Sequence, residues 1–286
     1  MFASDQYELL DFGAGRKLER FGPYVLDRPS PAAERAARGR PQLWADASAR
    51  YDRGGDAGRW SCEYPIDRPW QMNFGSLALE LKLTDSGHLG IFPEQAANWR
   101  WIADQVQRAR RVKVLNLFAY TGASTLAAAA AGAEVVHVDA AAGVVAWGRR
   151  NAYASGLSHL PVRWIVEDVV RFVRRERMRG NYYDAVILDP PAYGHGPRGQ
   201  SWKLEDQLDG LLSMCLELCR GQQRFLLLTC HSGRLGLASE LLNYTIAQNP
   251  QLCEEGTLSS ADLCLVSLAG QRLHCGAAVR WSRFAA

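Results

Sequence analysis

Residues 113–140 read KVLNLFAYTGASTLAAAAAGAEVVHVDA. KVLNLF is a short apolar run of strand length. GASTLAAAAAGA is a stretch of helix formers closed by Gly132, and EVVHVD is a second apolar run ending in a carboxylate. Strand, helix and strand with short joints make a βαβ unit, which places the two strands parallel in one sheet.

The same period continues downstream. AAGVVAWGRRNAYASG reads as a helix stopped by Gly156, VRWIVED as a third strand, and VVRFVRRERMRG as a helix stopped by Gly180. DAVILD is a fourth strand, KLEDQLDGLLSMCLELC a helix and RFLLLTC a fifth strand. Strands alternating with helices predict an α/β doubly wound, Rossmann-like, mostly parallel sheet. LCLVSL and GAAVRW, joined around Gly270, read as antiparallel C-terminal edge strands. Upstream, YELLDFG, KLERFG, YVLDRP and SLALELKLT are strand-like pieces broken by Gly and Pro. They predict a small α+β or β-rich N-terminal domain over residues 1–85, a candidate for recognition of whatever the protein binds, before the sheet domain over residues 86–286.

The bulk properties narrow the class. The chain has 286 residues, 48% of them apolar, enough for a sizeable core. A net charge of +3 does not announce a nucleic-acid binder, so only local basic clusters argue for one. No apolar run has the length of a bilayer span, and the start MFASDQYELL lacks the pattern of a secretory signal. Seven cysteines without a CxxC pair predict reduced thiols, no zinc and a cytoplasmic location.

In an open parallel sheet, ligands bind beyond the carboxyl ends of the strands. There the sequence places Asp139, Glu167–Asp168 and Asp189 on successive strand tips. One such acid is explained as a helix N-cap. Acids repeated at the ends of whole βα units point to a shared ligand. The first loop, FAYTGAS, has only Gly122 where a dinucleotide fingerprint wants three glycines. Asp139 falls roughly 20 residues further on, where an acid accepts ribose hydroxyls. The ligand expected is therefore an adenosine compound without a diphosphate.

These segments, VLNLFAYTGAS, HVDA, RWIVEDV, YDAVILDPPAY and LLLTCHSG, resemble the class I S-adenosylmethionine-dependent methyltransferases. More narrowly, they are similar to the bacterial enzymes that methylate large-subunit ribosomal RNA, in a short branch without a PUA domain. GHLGIFPEQ resembles the segment that precedes their cofactor domain, but has Ala96 where those enzymes often have an arginine for the methionine carboxylate. The resemblance implies S-adenosylmethionine as cofactor, with its methionine part beside Phe118, Tyr120, Thr121 and Gly122. Asp139 would take the ribose hydroxyls, Asp168 the adenine amine with Val169 flanking the ring, and Asp189 would lie near the methyl donor.

The DPPAY turn at residues 189–193 then has a chemical reason. Methyl transfer is a displacement that depends on alignment. Pro190 and Pro191 fix φ beside Asp189, and Tyr193 offers a ring to a flat acceptor. The plain alternative is a proline-stiffened loop with Tyr193 as packing. Gly194, Gly196 and Gly199 predict a mobile loop on which His195, Arg198 and Lys203 are candidate phosphate contacts, with His195 alternatively a general base or a plain solvated side chain. Two basic clusters, Arg108, Arg110, Arg111 and Lys113, and Arg171, Arg174, Arg175, Arg177 and Arg179, are either solvated faces or phosphate contacts.

Cys230 is a candidate nucleophile, because cytosine C5 is methylated through a thiolate adduct. The 5-methylcytosine relatives carry their cysteine in T-F-S-C-S-G. Here L-T-C-H-S-G puts His231 in that register and Cys230 one residue earlier, and a buried core cysteine is the other reading. The expected activity is methylation of a base in RNA, with ribosomal RNA as partner. A protein or small-molecule methyltransferase, or a non-catalytic scaffold that binds the cofactor, are the alternatives.

Overall fold

The computed structural model describes residues 2–54, 58–66, 68–196, 199–219, 224–231 and 234–283. The chain divides into two compact units, Met1–Ala96 with Cys264–Cys275, and Ala97–Leu263 with Gly276–Ala286.

The first unit is β-rich. Strands β1 (Tyr7–Gly13), β2 (Arg16–Phe21), β3 (Tyr24–Pro29), β4 (Ala49–Asp52) and β5 (Arg59–Cys62) form one sheet in that order. Neighbours are antiparallel except β3 and β4, which run parallel. β6 (Trp70–Phe74) and β7 (Leu77–Leu81) make a separate antiparallel hairpin. Leu10, Leu18 and Val25 form a small core covered by Leu43, Trp44 and Ala47. Ionic groups are buried beside it. Glu19 accepts from Tyr7 Oη at 2.9 Å, from Arg28 Nε at 3.0 Å and from Lys17 Nζ at 3.1 Å. A carboxylate survives such burial only with donors on its oxygens. Burial pushes Glu19 up, but the Arg28 and Lys17 charges outweigh it and hold the carboxyl below its ordinary value.

The second unit opens with α1 (Ala96–Gln107) and alternates: β8 (Lys113–Leu117), α2 (Ala123–Ala130), β9 (Glu134–Asp139), α3 (Ala142–Ala154), β10 (Val162–Val166), α4 (Val169–Met178) and β11 (Ala185–Leu188). A short hairpin, β12 (Tyr193–His195) and β13 (Ser201–Lys203), precedes α5 (Leu204–Cys219) and β14 (Phe225–Cys230). Then follow α6 (Ala238–Gln248), α7 (Gln251–Glu255), β15 (Thr257–Val266) and β16 (Arg272–Ser282), of which the stretch Cys264–Cys275 belongs to the first unit.

The sheet order is β10-β9-β8-β11-β14-β16-β15. The first five are parallel, and β16 pairs antiparallel with β14. This bears out the doubly wound reading with antiparallel closing strands. Alternation sorts the faces. Leu115, Leu117, Val136, Val138, Val186 and Leu188 pack under α4 and α5, with Phe172, Val173, Leu208 and Leu212. On the other face α2 lies against β8 and β9, and α3 against β9 and β10. From β8 the chain winds outward to β10, then returns to lay β11 on the other side of β8. That reversal opens a crevice at the carboxyl ends of β8 and β11. No helix among the described residues is long and apolar enough to cross a membrane.

Candidate active site

The loop after β8 is held in an unusual conformation. Phe118 and Tyr120 have φ of 55° and 50°, a left-handed backbone that costs a non-glycine residue about 1–2 kcal/mol. The surroundings fix it. Ala119 N donates to Val138 O at 3.1 Å, Tyr120 N to Asp139 Oδ2 at 2.9 Å, and Asn151 Nδ2 to Thr121 O at 2.9 Å. Thr121 is buried. Gly122, at φ 88°, is the N-cap of α2 and supplies no side-chain cap, so the first N–H groups of that helix remain available to an anion.

Asp139 therefore does more than end β9. Its Oδ2 takes Tyr120 N, and its Oδ1 takes Ala141 N at 3.0 Å. The Ala140 N–H bonds the carboxylate as well, and with three backbone donors it keeps acceptor capacity for a ligand hydroxyl. Burial pushes its pKa up, and the backbone N–H bonds only partly offset this.

Asp168 caps α4, accepting Arg171 N at 2.8 Å on Oδ1. A Cβ on Gly196 would lie 3.1 Å from its Oδ2, so the β12–β13 hairpin approaches that oxygen. Val169 is buried in the core under the sheet. Glu167 is also buried and is paired with Arg175 at 3.0 Å.

Across the crevice, Asp189 sits at the tip of β11. Its Oδ1 accepts the Thr229 hydroxyl and lies 2.8 Å from His231 Nε2. Burial raises the Asp189 pKa, but the His231 charge and these hydrogen bonds outweigh it and hold the carboxyl below its ordinary value. Pro190 is buried, whereas Pro191 and Tyr193 are exposed.

The glycine-rich segment after Tyr193 pairs as β12 and β13 over its described residues, where the sequence reading expected a mobile loop. Trp202 anchors it. The residue is buried, its Nε1 donates to Pro191 O at 2.7 Å, and its ring lies 4.8 Å from that of Phe118. The hairpin thus ties the DPPAY turn to the first loop. Sequence reasoning missed Trp202. The available signal was a tryptophan whose N–H needs a partner, shortly after a turn rich in unpaired carbonyls. His195 and Lys203 are exposed on this hairpin, and Arg198 lies outside the described residues.

Cys230 is buried, and its thiol is pushed up to about 12 by burial and then by the Asp189 charge. Both effects disfavour a thiolate. His231, one residue on, has the opening to the crevice that Cys230 lacks, with 31% of its side chain exposed. The basic clusters separate as well. Arg108, Arg110, Arg111 and Lys113 lie at the amino end of β8, away from the strand tips. On α4, Arg175 pairs with Glu167, Arg177 with Glu217 and Arg179 with Glu176. Arg171 belongs to the first turn of α4, nearest the tip of β10, and Arg174 lies mid-helix beside Arg177, Met178 and Glu217.

A doubly wound sheet with acids on both sides of its switch point belongs to the α/β class that binds ligands at its strand tips, and a first loop without a pyrophosphate fingerprint does not suit a dinucleotide. Comparison with known proteins makes this specific. The sequence profile of the S-adenosylmethionine-dependent methyltransferases matches residues 26–219, and the chain belongs to that family. Its cofactor is S-adenosylmethionine. A crystal structure of an S-adenosylmethionine-dependent methyltransferase from Agrobacterium tumefaciens is 34% identical, with a TM-score of 0.89 over 98% of this chain and 91% of that one. The ribosomal RNA large subunit methyltransferase K/L of Hahella chejuensis is 31% identical over 184 residues, 60% of this chain. The ribosomal RNA large subunit methyltransferase I of Aeromonas salmonicida is 36% identical over 110 residues, 38% of this chain. These matches span 24% and 27% of the two ribosomal RNA enzymes.

Proposed function

We propose that this protein methylates a base in RNA, with large-subunit ribosomal RNA as the source, in the cytoplasm. The observation that carries the reading is the placement of Asp139 and Asp189 on opposite sides of one crevice, each fixed by its own hydrogen bonds. The names of the two ribosomal RNA enzymes support the substrate class. All seven cysteines are free thiols, which suits a reducing compartment.

When bound, S-adenosylmethionine supplies an electrophilic methyl group. The residues of the chain bind and orient. Phe118, Tyr120, Thr121 and Gly122 hold the methionine part, with the open N–H groups of α2 facing its carboxylate. This fits the absence of an arginine at Ala96. Asp139 accepts the ribose hydroxyls, and Asp168 accepts the adenine amine on the oxygen not engaged by its cap, with Val169 beneath. Asp189 stands by the methionine amine, and Pro190 and Tyr193 position the acceptor. Cys230 takes no part and remains a core thiol. Residues 1–85 contribute substrate recognition. Nucleoside mass spectrometry of RNA from a deletion strain tests the reading: one methylated nucleoside should disappear and return with the wild-type gene. Unchanged RNA, beside a methylated protein or small molecule, would overturn the substrate class.

A further inference from the structure

A cavity of about 130 Å³ lies within the first unit, between β2, β3, β4 and residues 86–94. That is roughly ten times the space one water needs, and below the range of pockets that hold drug-sized ligands. It suits one small flat heterocycle.

Its polar groups are not balanced among themselves. Lys17 and Arg28 stand directly opposite each other on β2 and β3. Like charges in that position repel, and Glu19 lies between them and accepts from both. One Lys17 donor and several Arg28 donors are used in this way or on Gly87 O. An ammonium and a guanidinium have more N–H groups than that to give. Glu94 lines the same cavity, and its Oε2 is shut from solvent with no hydrogen-bond partner. A buried carboxylate oxygen without a donor calls for a missing one. The terminal torsion of a glutamate is soft, so this oxygen turns toward an incoming donor at little cost.

The complement of such a cavity presents an acceptor and a donor side by side. A bare phosphate offers acceptors only and meets Glu94 with repulsion. An amine offers donors only and meets Lys17 and Arg28. A nucleobase with an exocyclic amine near a ring carbonyl offers both, on a flat edge. Tyr51 and Phe92 provide aromatic walls. Tyr51 is held rigid by a hydrogen bond from its hydroxyl to Asp85 O at 2.6 Å. At the mouth, Arg53 is exposed and available to a phosphodiester, beside Ser86 and His88. Single-stranded RNA is read in this manner, by bases splayed onto aromatic rings and bonded along their edges.

We propose that this cavity binds one unstacked guanine or cytosine of the RNA substrate, its amine on Glu94 and its carbonyl on Lys17 or Arg28. The inference rests on the RNA reading above and gives the first unit its role. The test uses the full chain with GMP, CMP, AMP and UMP as probes, in ligand-observed NMR and calorimetry. GMP or CMP should bind at least tenfold more tightly than UMP. Glu94→Gln should erase that preference, and Ser86→Trp, at the exposed mouth, should block binding with an unchanged melting temperature. Both variants should keep wild-type affinity for S-adenosylmethionine and raise KM for RNA at least tenfold. Equal binding of all four nucleotides, or wild-type binding by both variants, overturns the cavity. A protein that methylates RNA with an unchanged KM in both variants overturns the cavity and leaves the proposed function standing. A protein that methylates no RNA removes the proposed function and this inference with it, whatever the mononucleotides do.

Discussion

His231 Nε2 lies 2.8 Å from Asp189 Oδ1, so the carboxylate at the tip of β11 is held by a residue just past the end of β14. The Thr229 hydroxyl donates to the same oxygen, so Oδ1 is fixed from β14 by two neighbouring side chains. The pair also gives Cys230 and His231 opposite expectations. His231→Ala should slow single-turnover methyl transfer at least tenfold while the protein stays folded. Cys230→Ala removes a buried sulfur, should lower stability by about 1 kcal/mol, and should leave transfer within a few-fold of wild type. A folded Cys230→Ala protein that transfers no methyl would make the thiol the nucleophile after all.

Asp139 is tested through the cofactor. Asp139→Ala removes a charged acceptor and frees Tyr120 N, whose φ of 50° needs that support. S-adenosylmethionine should bind about 1.5–3 kcal/mol more weakly, the scale of a lost charge-assisted hydrogen bond. Calorimetry reads the change directly. Equal affinity in a folded variant would take Asp139 out of the site.

The sequence made some of these residues legible and hid others, for physical reasons. Asp139 and Asp189 stand out because a carboxylate after a buried apolar strand has few reasons to be there, whereas Asp168, after the half-exposed edge strand β10, was legible by its place in the repeating period and as the cap of α4. The repeated period of strand and helix was legible for the same reason: it records burial. The anchoring of Trp202 was not, because its partners Phe118 and Pro191 come from other loops and no local pattern links them. The pairing of β12 with β13 was masked by glycines that read as loop. Nor did alternation reveal Glu19, since a buried ion needs partners on neighbouring strands, here Tyr7, Lys17 and Arg28.

His137 gives a pH signature. It is fully buried, with Nδ1 2.9 Å from Thr125 Oγ1 and its ring 4.5 Å from Trp164. Burial, and then the Arg149 charge, pulls it from 6.5 down to about 3. Below pH 6.5 the unfolded chain takes up a proton that the folded one refuses. The stability from a neutral His137 is thus complete above 6.5 and lost as pH falls toward 3, at up to about 1.4 kcal/mol per unit. His137→Phe keeps a ring beside Trp164 and removes the titration. Its melting temperature should fall less between pH 7 and pH 5 than that of the wild type. Since His88 is also pulled down, to about 4, chiefly by burial, a residual slope is expected in the variant. Identical slopes would show that His137 is not the group responsible.

RNA contact is tested with salt. If Arg171 and Arg174 meet phosphates, RNA affinity should fall steeply between low and physiological salt, and reversing both to Glu should flatten that dependence by about two phosphates' worth of slope. Arg108 and Arg110, at the amino end of β8, should tolerate the same reversal. Cofactor affinity should be unchanged throughout. Salt-independent binding, or equal effects at both ends of the sheet, would return these arginines to a solvated face.

The hairpin predicts a division of labour between two aromatic residues. Trp202 is buried and binds the DPPAY turn through Pro191 O, whereas Tyr193 is 54% exposed at the start of β12. Trp202→Phe keeps a ring against Phe118 but leaves the Pro191 carbonyl without its donor, a loss of about 0.5–1.5 kcal/mol. Part of that loss should appear in the melting temperature, and the rest as a slower transfer step, because the turn is then held by its prolines alone. Tyr193→Ala should change the melting temperature only slightly, since more than half of the residue is open to solvent and its ring partner, His195, is itself exposed. It removes a stacking surface worth about 1–3 kcal/mol to a base, so single-turnover transfer to RNA should slow at least tenfold with cofactor affinity intact. Tyr193→Phe should retain most of the rate, because stacking uses the ring and not the hydroxyl. If Tyr193→Ala transfers methyl at the wild-type rate while Trp202→Phe is slow, the hairpin acts only by bracing Asp189 and Pro190, and the acceptor base lies elsewhere.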